Sequence, residues 1–356
     1  MSDRCAVVIT GVGIVSPPVT GDSAALGAFL AAPTAPADDV VSAGALAALV
    51  DASEARRLSR VCQLTIAAAR LALRESGIDP AAGLGLVVGT EFGDLASTHA
   101  FADGFLDRGP AGLSALLFPN TVMNAMVATT AIAVGAREMA LTLNAPTIAG
   151  ELAVARAAAA IAGGRLPAVL AGGVDELDPV VERELARLGL GAERRGEGAA
   201  FVVLEPREAA RARGAHVLGE VTAAAWRAMP ARPWGVGRTT RSRAIEAALE
   251  AAHARSEDIA WVYASASRDE ARDRWEASVL GTALGADVPI SALGRVLGRH
   301  AGLGVLRVAA AAWTARARLL PVADGALRVE RVGTGRGLVH GLARGGAHVA
   351  LVVDAA

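Results

Sequence analysis

The sequence predicts an α/β protein built from two related series of strands and helices. Three observations lead there. Short Val-, Ile- and Leu-rich runs alternate with longer Ala- and Leu-rich segments of helical spacing. The alternation occurs twice along 356 residues, the second time with shorter connections. Apolar residues make up 53% of the chain and aromatics only 3%, enough for a large core packed with Ala, Leu and Val.

In the first series, Ala6–Thr10 reads as a strand and Gly11–Pro18 as the loop that follows it. The segment Arg57–Gly77 places Val61, Leu64, Ala68 and Leu71 on one helical face, with Gly77 as the stop. Leu84–Gly89 reads as a buried strand. Helices are expected near 93–107, 121–135 and 149–163, and strands near 139–143 and 167–171. Gly198–Glu205 reads as a further strand, and Arg207–Arg213 as a charged helix. The joint lies between 214 and 240, where Pro230, Pro233 and Gly235 mark a loop; the halves are set at 1–225 and 226–356. In the second series, helices are expected over Arg241–Ala254, Glu270–Leu284 and Gly302–Arg316. Strands are expected over Ile259–Ala264, near Val288, and near 326–332 and 347–353.

Composition excludes several functions. A formal net charge of −1 argues against a general nucleic-acid binder. All 35 basic residues are Arg, which excludes Schiff-base chemistry and a P-loop Lys. Cys5 and Cys62 have the spacing of neither a metal site nor a disulfide framework. Ala153–Gly164 is too short to span a bilayer, and Arg307, Arg316 and Arg318 interrupt the other apolar candidate. With no signal-like start, the expectation is a cytoplasmic protein without membrane, cofactor or metal. Gly11-Val-Gly-Ile-Val-Ser16 lacks the third Gly of a dinucleotide loop and opens no helix, so it reads as a turn. Gly333-Thr-Gly-Arg-Gly337 is similarly weak. Arg194-Arg195 and the other Arg-rich stretches read as solvated faces, and His99, His340 and His348 as structural.

The segment Leu141–Gly150, followed by an Ala-rich helix and Ala171-Gly-Gly173, reads as strand, sharp turn and buried helix. That layout presents a nucleophile at a helix N-terminus, where the dipole would ionise a thiol. This chain has Thr147 there, and a Thr hydroxyl is a poor nucleophile without a nearby base.

Several motifs resemble those of the β-ketoacyl-[acyl carrier protein] synthases. They are Val7-Val-Ile-Thr-Gly-Val-Gly-Ile-Val-Ser16, Arg108-Gly-Pro110 through Phe118-Pro-Asn-Thr121, Ala171-Gly-Gly-Val-Asp-Glu176, Gly196–Pro206, Ala210-Arg-Ala-Arg-Gly214 and Gly345–Val353. The resemblance covers nearly the whole chain and is strongest over 1–220. It implies a thiolase-like fold, two βαβαβ halves forming an αβαβα stack. It also implies an active site of one Cys, two His and a Lys, and here every one of those positions is changed. The Cys falls on Thr147, the first His on Ser265, the Lys on Gly294, the second His on Arg299 and the gating Phe on Arg344. His300 lies one position beyond the second His.

The pattern is similar to that of a chain length factor, the inactive partner of an active ketosynthase in type II polyketide synthases. Aromatic-pathway members carry Gln at the Cys position, so Thr147 and the shortened second half point to a polyene or aryl-polyene branch. The resemblance implies a heterodimer with an active ketosynthase, joined at strand 139–143, a transient acyl carrier protein and a polyketide acyl chain. It places Phe92, Leu95, Thr98, Ala102 and Leu117 along a shared acyl tunnel; the alternative for these residues is ordinary core packing. Two other functions stay open: a residual malonyl decarboxylase or acyltransferase using Thr147 or His300, and a homodimeric acyl-binding scaffold.

Overall fold

The computed structural model describes residues 5–323 and 327–356. The first half contributes β1 (Val7–Ser16), β2 (Val19–Gly21), β3 (Leu84–Thr90), β4 (Ala140–Asn144), β5 (Ala168–Asp175) and β6 (Gly198–Pro206). Its helices are α1 (Ser23–Ala31), α2 (Ala43–Ala47), α3 (Ala52–Ala55), α4 (Arg60–Ser76), α5 (Leu95–Arg108), α6 (Ala125–Val134), α7 (Ala149–Ala162), α8 (Pro179–Arg187) and α9 (Arg207–Ala212). The second half contributes β7 (Gly219–Ala228), β8 (Ile259–Tyr263), β9 (Ile290–Ser291), β10 (Leu319–Ala323), β11 (Leu327–Arg331), β12 (Arg336–Leu342) and β13 (Ala347–Asp354). Its helices are α10 (Arg243–Ala251), α11 (Glu270–Leu284), α12 (Gly294–Leu297) and α13 (Ala301–Ala317).

The duplication is explicit in the sheet order. The first half runs β4-β3-β5-β6-β1 and the second β9-β8-β12-β13-β7. In each, the first three strands are parallel and the last two antiparallel. β1 and β7 join the halves through Val7–Ile9 and Gly219–Val221. Helices α7 and α13 lie between the two half-sheets, touching strands of both. On the far faces, α4 and α6 cover the first half-sheet and α10 packs on the second, completing the αβαβα stack.

Small residues set the spacing of these layers. A Cβ on Gly13 would fall 2.0 Å from the Ala68 carbonyl oxygen of α4, and one on Gly150 would fall 2.0 Å from the Ala301 carbonyl oxygen of α13. The close crossing of α7 and α13 also buries an ion pair between Glu151 and Arg307. Burial brings the Arg307 guanidinium down to about 9.

Three sequence expectations need correction. Gly11–Ser16 is not a turn: β1 runs through it, with a register shift between Ile9 and Gly11, because its glycines pack against α4. The joint at 214–240 contains β7, which the 225/226 boundary cuts. Its run of Ala gives a weak strand signal, and pairing with β1 and β13 fixes it. Strands β10 and β12 and helices α1 and α8 were also not anticipated. Residue 326 of the strand expected at 326–332 lies outside the described residues.

Two surface features frame the site. β4 is the last strand of the sheet, with one neighbour, β3. The surface formed by α5, the segment after it and α6 exposes Leu106 (78%), Leu116 (89%), Phe118 (60%) and Ile132 (85%). Among the described residues no helix is long and apolar enough to cross a membrane.

Candidate functional site

The expected strand, turn and helix are present, and Thr147 sits at the apex. β4 ends at Asn144, whose side-chain amide donates to the carbonyls of Thr90 (3.3 Å) and Glu91 (2.7 Å) and ties its exit to that of β3. The chain then turns through Pro146 and Thr147, the latter at φ +65°, before α7 opens at Ala149. A β-branched residue rarely adopts that left-handed backbone. The Thr147 hydroxyl receives a long hydrogen bond, 3.4 Å, from Arg272 Nη1. A guanidinium cannot accept a proton, so this neighbour does not activate the hydroxyl.

The remaining expected positions are filled by an ionic network. Arg299 donates through Nε to Glu193 Oε1 (2.7 Å) and through Nη2 to Glu193 Oε2 (2.9 Å). Its Nη1 also pairs with Glu91. Arg272 donates to Glu193 Oε1 (2.8 Å), to the Ser265 carbonyl (3.1 Å) and to Ser267 Oγ (2.5 Å). Arg195 lies 3.8 Å from Glu91 and 2.8 Å from Glu182. Burial opposes the charge on Glu193, but Arg299 and Arg272 outweigh it and hold the carboxyl at about 2. Burial likewise opposes the charge on Arg299, while Glu193 and Glu91 stabilise it and raise its pKa. These are fixed charges, unlike the titrating groups that shuttle protons near neutral pH.

Ser265 belongs to a second buried group. Its hydroxyl donates to Glu276 Oε1 (2.8 Å), and His340 Nδ1 contacts the same oxygen (2.9 Å). The Leu342 amide donates to Ser265 Oγ (3.0 Å), locking the hydroxyl between β12 and α11. Gly294 opens α12, where a Cβ would meet the Ala266 carbonyl at 2.7 Å. Arg344 forks onto Asp269 (2.6 Å to each oxygen) and donates to the Trp234 carbonyl (3.0 Å). His300 points elsewhere: its buried ring lies against Gly198 of β6, and neither ring nitrogen has a hydrogen-bond partner among the described residues. Burial, with Arg299 and Arg195 adding to it, brings its pKa down to about 3.

What remains open between Thr147, Glu91, Glu193, Arg272, Arg299 and Arg344 is a cleft of about 20 Å³. That is room for about one water, not for an acyl thioester.

Of the residues expected along a tunnel, Phe92 touches this cluster. The Phe92 ring sits under the Arg195 guanidinium, 4.7 Å from its centroid. Leu95 and Thr98 are half-buried on α5, Ala102 on the same helix is exposed, and Leu117 is half-buried. Sequence reasoning missed Glu91, Glu193, Arg272 and Glu276, and it read Arg195 as solvated, whereas its side chain is 6% exposed. The adjacent pair Arg194-Arg195 was the one available signal, and it pointed to the surface.

The family model for the β-ketoacyl synthase N-terminal domain matches residues 22–210, and the chain belongs to that family. It is 27% identical to the tetracenomycin polyketide synthase ketoacyl synthase alpha subunit of Streptomyces glaucescens, over 88% of this chain and 86% of that one. It is 29% identical to the granaticin polyketide putative beta-ketoacyl synthase 1 of Streptomyces violaceoruber, over 75% and 72%. Among solved structures, the ishigamide ketosynthase/chain length factor superposes with a TM-score of 0.88 at 21% identity, covering 99% of this chain and all of that one. A chain of AntDE:AntF, described as a type II PKS acyl-carrier protein in complex with its ketosynthase bound to the hexaketide, superposes with a TM-score of 0.81 at 19% identity, over 99% and 100%. The fold is accordingly the thiolase-like ketosynthase fold.

Proposed function

We propose that this chain is a non-catalytic, chain-length-factor-like subunit. It would form a heterodimer with an active β-ketoacyl synthase of a type II polyketide system and wall part of the acyl tunnel. One observation carries the reading. Arg299, Glu193 and Arg272 fill the space in which a condensing enzyme must place a nucleophile, proton-transfer groups and substrate. The exposed apolar surface of α5 and α6 beside the open edge of β4 supports the pairing, because it is the kind of face an obligate partner covers. Phe92, Leu95, Thr98, Ala102 and Leu117 lie next to that surface, so a tunnel lined by them would be closed by the partner.

The test is co-expression with a ketosynthase encoded beside this chain, followed by chromatography and a condensation assay with malonyl-loaded carrier protein. The expected result is a one-to-one complex that is active, with this chain inactive alone. A purified chain that condenses malonyl units unaided overturns the proposal. Substituting Thr147→Ala in the complex should leave turnover unchanged. A loss would favour the second reading, a nucleophilic Thr147, which Arg272 as its hydrogen-bond donor disfavours.

A further inference from the structure

A second pocket, lined by other residues than the neighbouring Thr147 cleft, has the composition of a ligand site. It is an open groove of about 330 Å³, within the usual range for small-molecule pockets. Arg194, Arg268 and Arg295 line it together with Ala35, Val296, Ala323 and Leu327. Arg194 is neutralised by Asp39, which accepts from its Nε (3.1 Å) and Nη2 (2.8 Å). Arg295 has only a loose contact, 3.5 Å, with Asp273, a carboxylate also engaged by Arg272. Arg268 is exposed, with no hydrogen-bond or ion-pair partner for its guanidinium among the described residues, and the Arg295 side chain is 43% exposed. Among the described residues, the pocket thus presents more positive charge than the carboxylates beside it neutralise, next to an apolar wall.

Arg268 is also held there by its backbone. It adopts φ +74°, a left-handed conformation costly for a residue with a Cβ. The Asp273 carboxylate fixes the turn by accepting from the amides of Ser267 (3.2 Å) and Arg268 (3.0 Å). A strained, over-determined turn that delivers an unpaired cation to a cavity is a pattern associated with ligand binding.

We propose that this pocket binds a small molecule carrying a phosphate monoester on a short aliphatic stem. Arg268 and Arg295 would hold the phosphate, and Val296, Ala323 and Leu327 would hold the stem. Guanidinium groups suit a phosphate dianion because they offer forked, permanently charged donors. The pocket lies on different residues from the Thr147 cleft, so the proposal stands apart from the chain-length-factor reading.

Calorimetric titration of the full chain with n-butyl phosphate, inorganic phosphate and n-butanol tests it. The expected order is butyl phosphate tightest, inorganic phosphate weaker, and butanol undetectable. Arg268→Gly is the informative variant, since Gly accepts the left-handed backbone and removes only the side chain. It and Arg295→Gln should each weaken butyl phosphate binding by roughly tenfold. No binding of butyl phosphate, or binding that both variants leave intact, overturns the proposal. Vesicles containing phosphatidic acid should bind no better than vesicles of neutral lipid. Preferential binding to the acidic vesicles would assign the arginines to a lipid surface and overturn the small-molecule site.

Discussion

Arg299 meets Glu193 fork to fork, with two parallel hydrogen bonds of 2.7 and 2.9 Å. One carboxylate is thereby shared with Arg272 at 2.8 Å, so three segments remote in sequence are stitched together at the mouth of α7. A buried pair of this kind adds little when intact, relative to an apolar replacement, but breaking it leaves an uncompensated charge.

Glu193→Ala should therefore destabilise the protein by about 3–5 kcal/mol, read as a fall in urea midpoint at neutral pH. The carboxyl is held at about 2 against an ordinary value of 4.5. Its stabilising contribution is then complete above that ordinary value and is lost as pH falls from 4.5 towards 2. A variant with an unchanged midpoint would mean that the network is solvated and inert.

His300 gives a slope of different origin. Its pKa is brought down to about 3 from 6.5, so the unfolded chain binds a proton that the folded chain refuses. Stability should fall as pH drops below 6.5, by up to about 1.4 kcal/mol per pH unit, until the folded value near 3. His348, brought down to about 4, adds a slope of the same sign. His300→Gln should remove one of the two slopes, and a pH series of thermal melts compared with the parent chain reads the difference.

Restoring the missing thiol should not restore chemistry. In Thr147→Cys, the neighbour is still Arg272 and the second His position is still Arg299. The expected outcome is no condensation by the isolated variant in a carrier-protein assay. Thr147→Gly should fold normally, because relief of the left-handed strain and the added freedom of the unfolded chain are each about 1 kcal/mol and opposed.

At the apolar face, Leu116→Asp should abolish co-purification with the synthase partner while leaving the circular dichroism spectrum unchanged, since Leu116 is 89% exposed. Retained pairing would place the interface elsewhere.

Ala102→Phe tests the tunnel. Its side chain stands in the open on α5, so added bulk disturbs no core. In the reconstituted pair the product mass distribution should shift to shorter chains, with an unchanged distribution removing Ala102 from the tunnel wall.

The fold was legible where the residue pattern is periodic. The Leu141–Gly150 turn, the helix beginning at Glu270 and the buried strand at Leu84 follow from local spacing alone. The strand Gly219–Ala228 was not, because its Ala residues carry little strand preference and its place is set by two neighbours. At the site, the substituted positions were visible one by one, but their new partners were not. Glu91 and Arg299 are separated by 208 residues, and no local pattern reports a pairing over that distance. Arg195 was misread for the same reason: its counter-charges come from other segments.

The unpaired rim of Ala140–Asn144 bears on how such a chain is made in a cell. A bare row of amides and carbonyls next to Ile132 and Leu116 invites self-association whenever newly made copies outnumber their mates. If a ketosynthase covers this edge, as proposed, excess copies would be cleared or would precipitate, and matched synthesis of the two polypeptides would follow from the outermost strand.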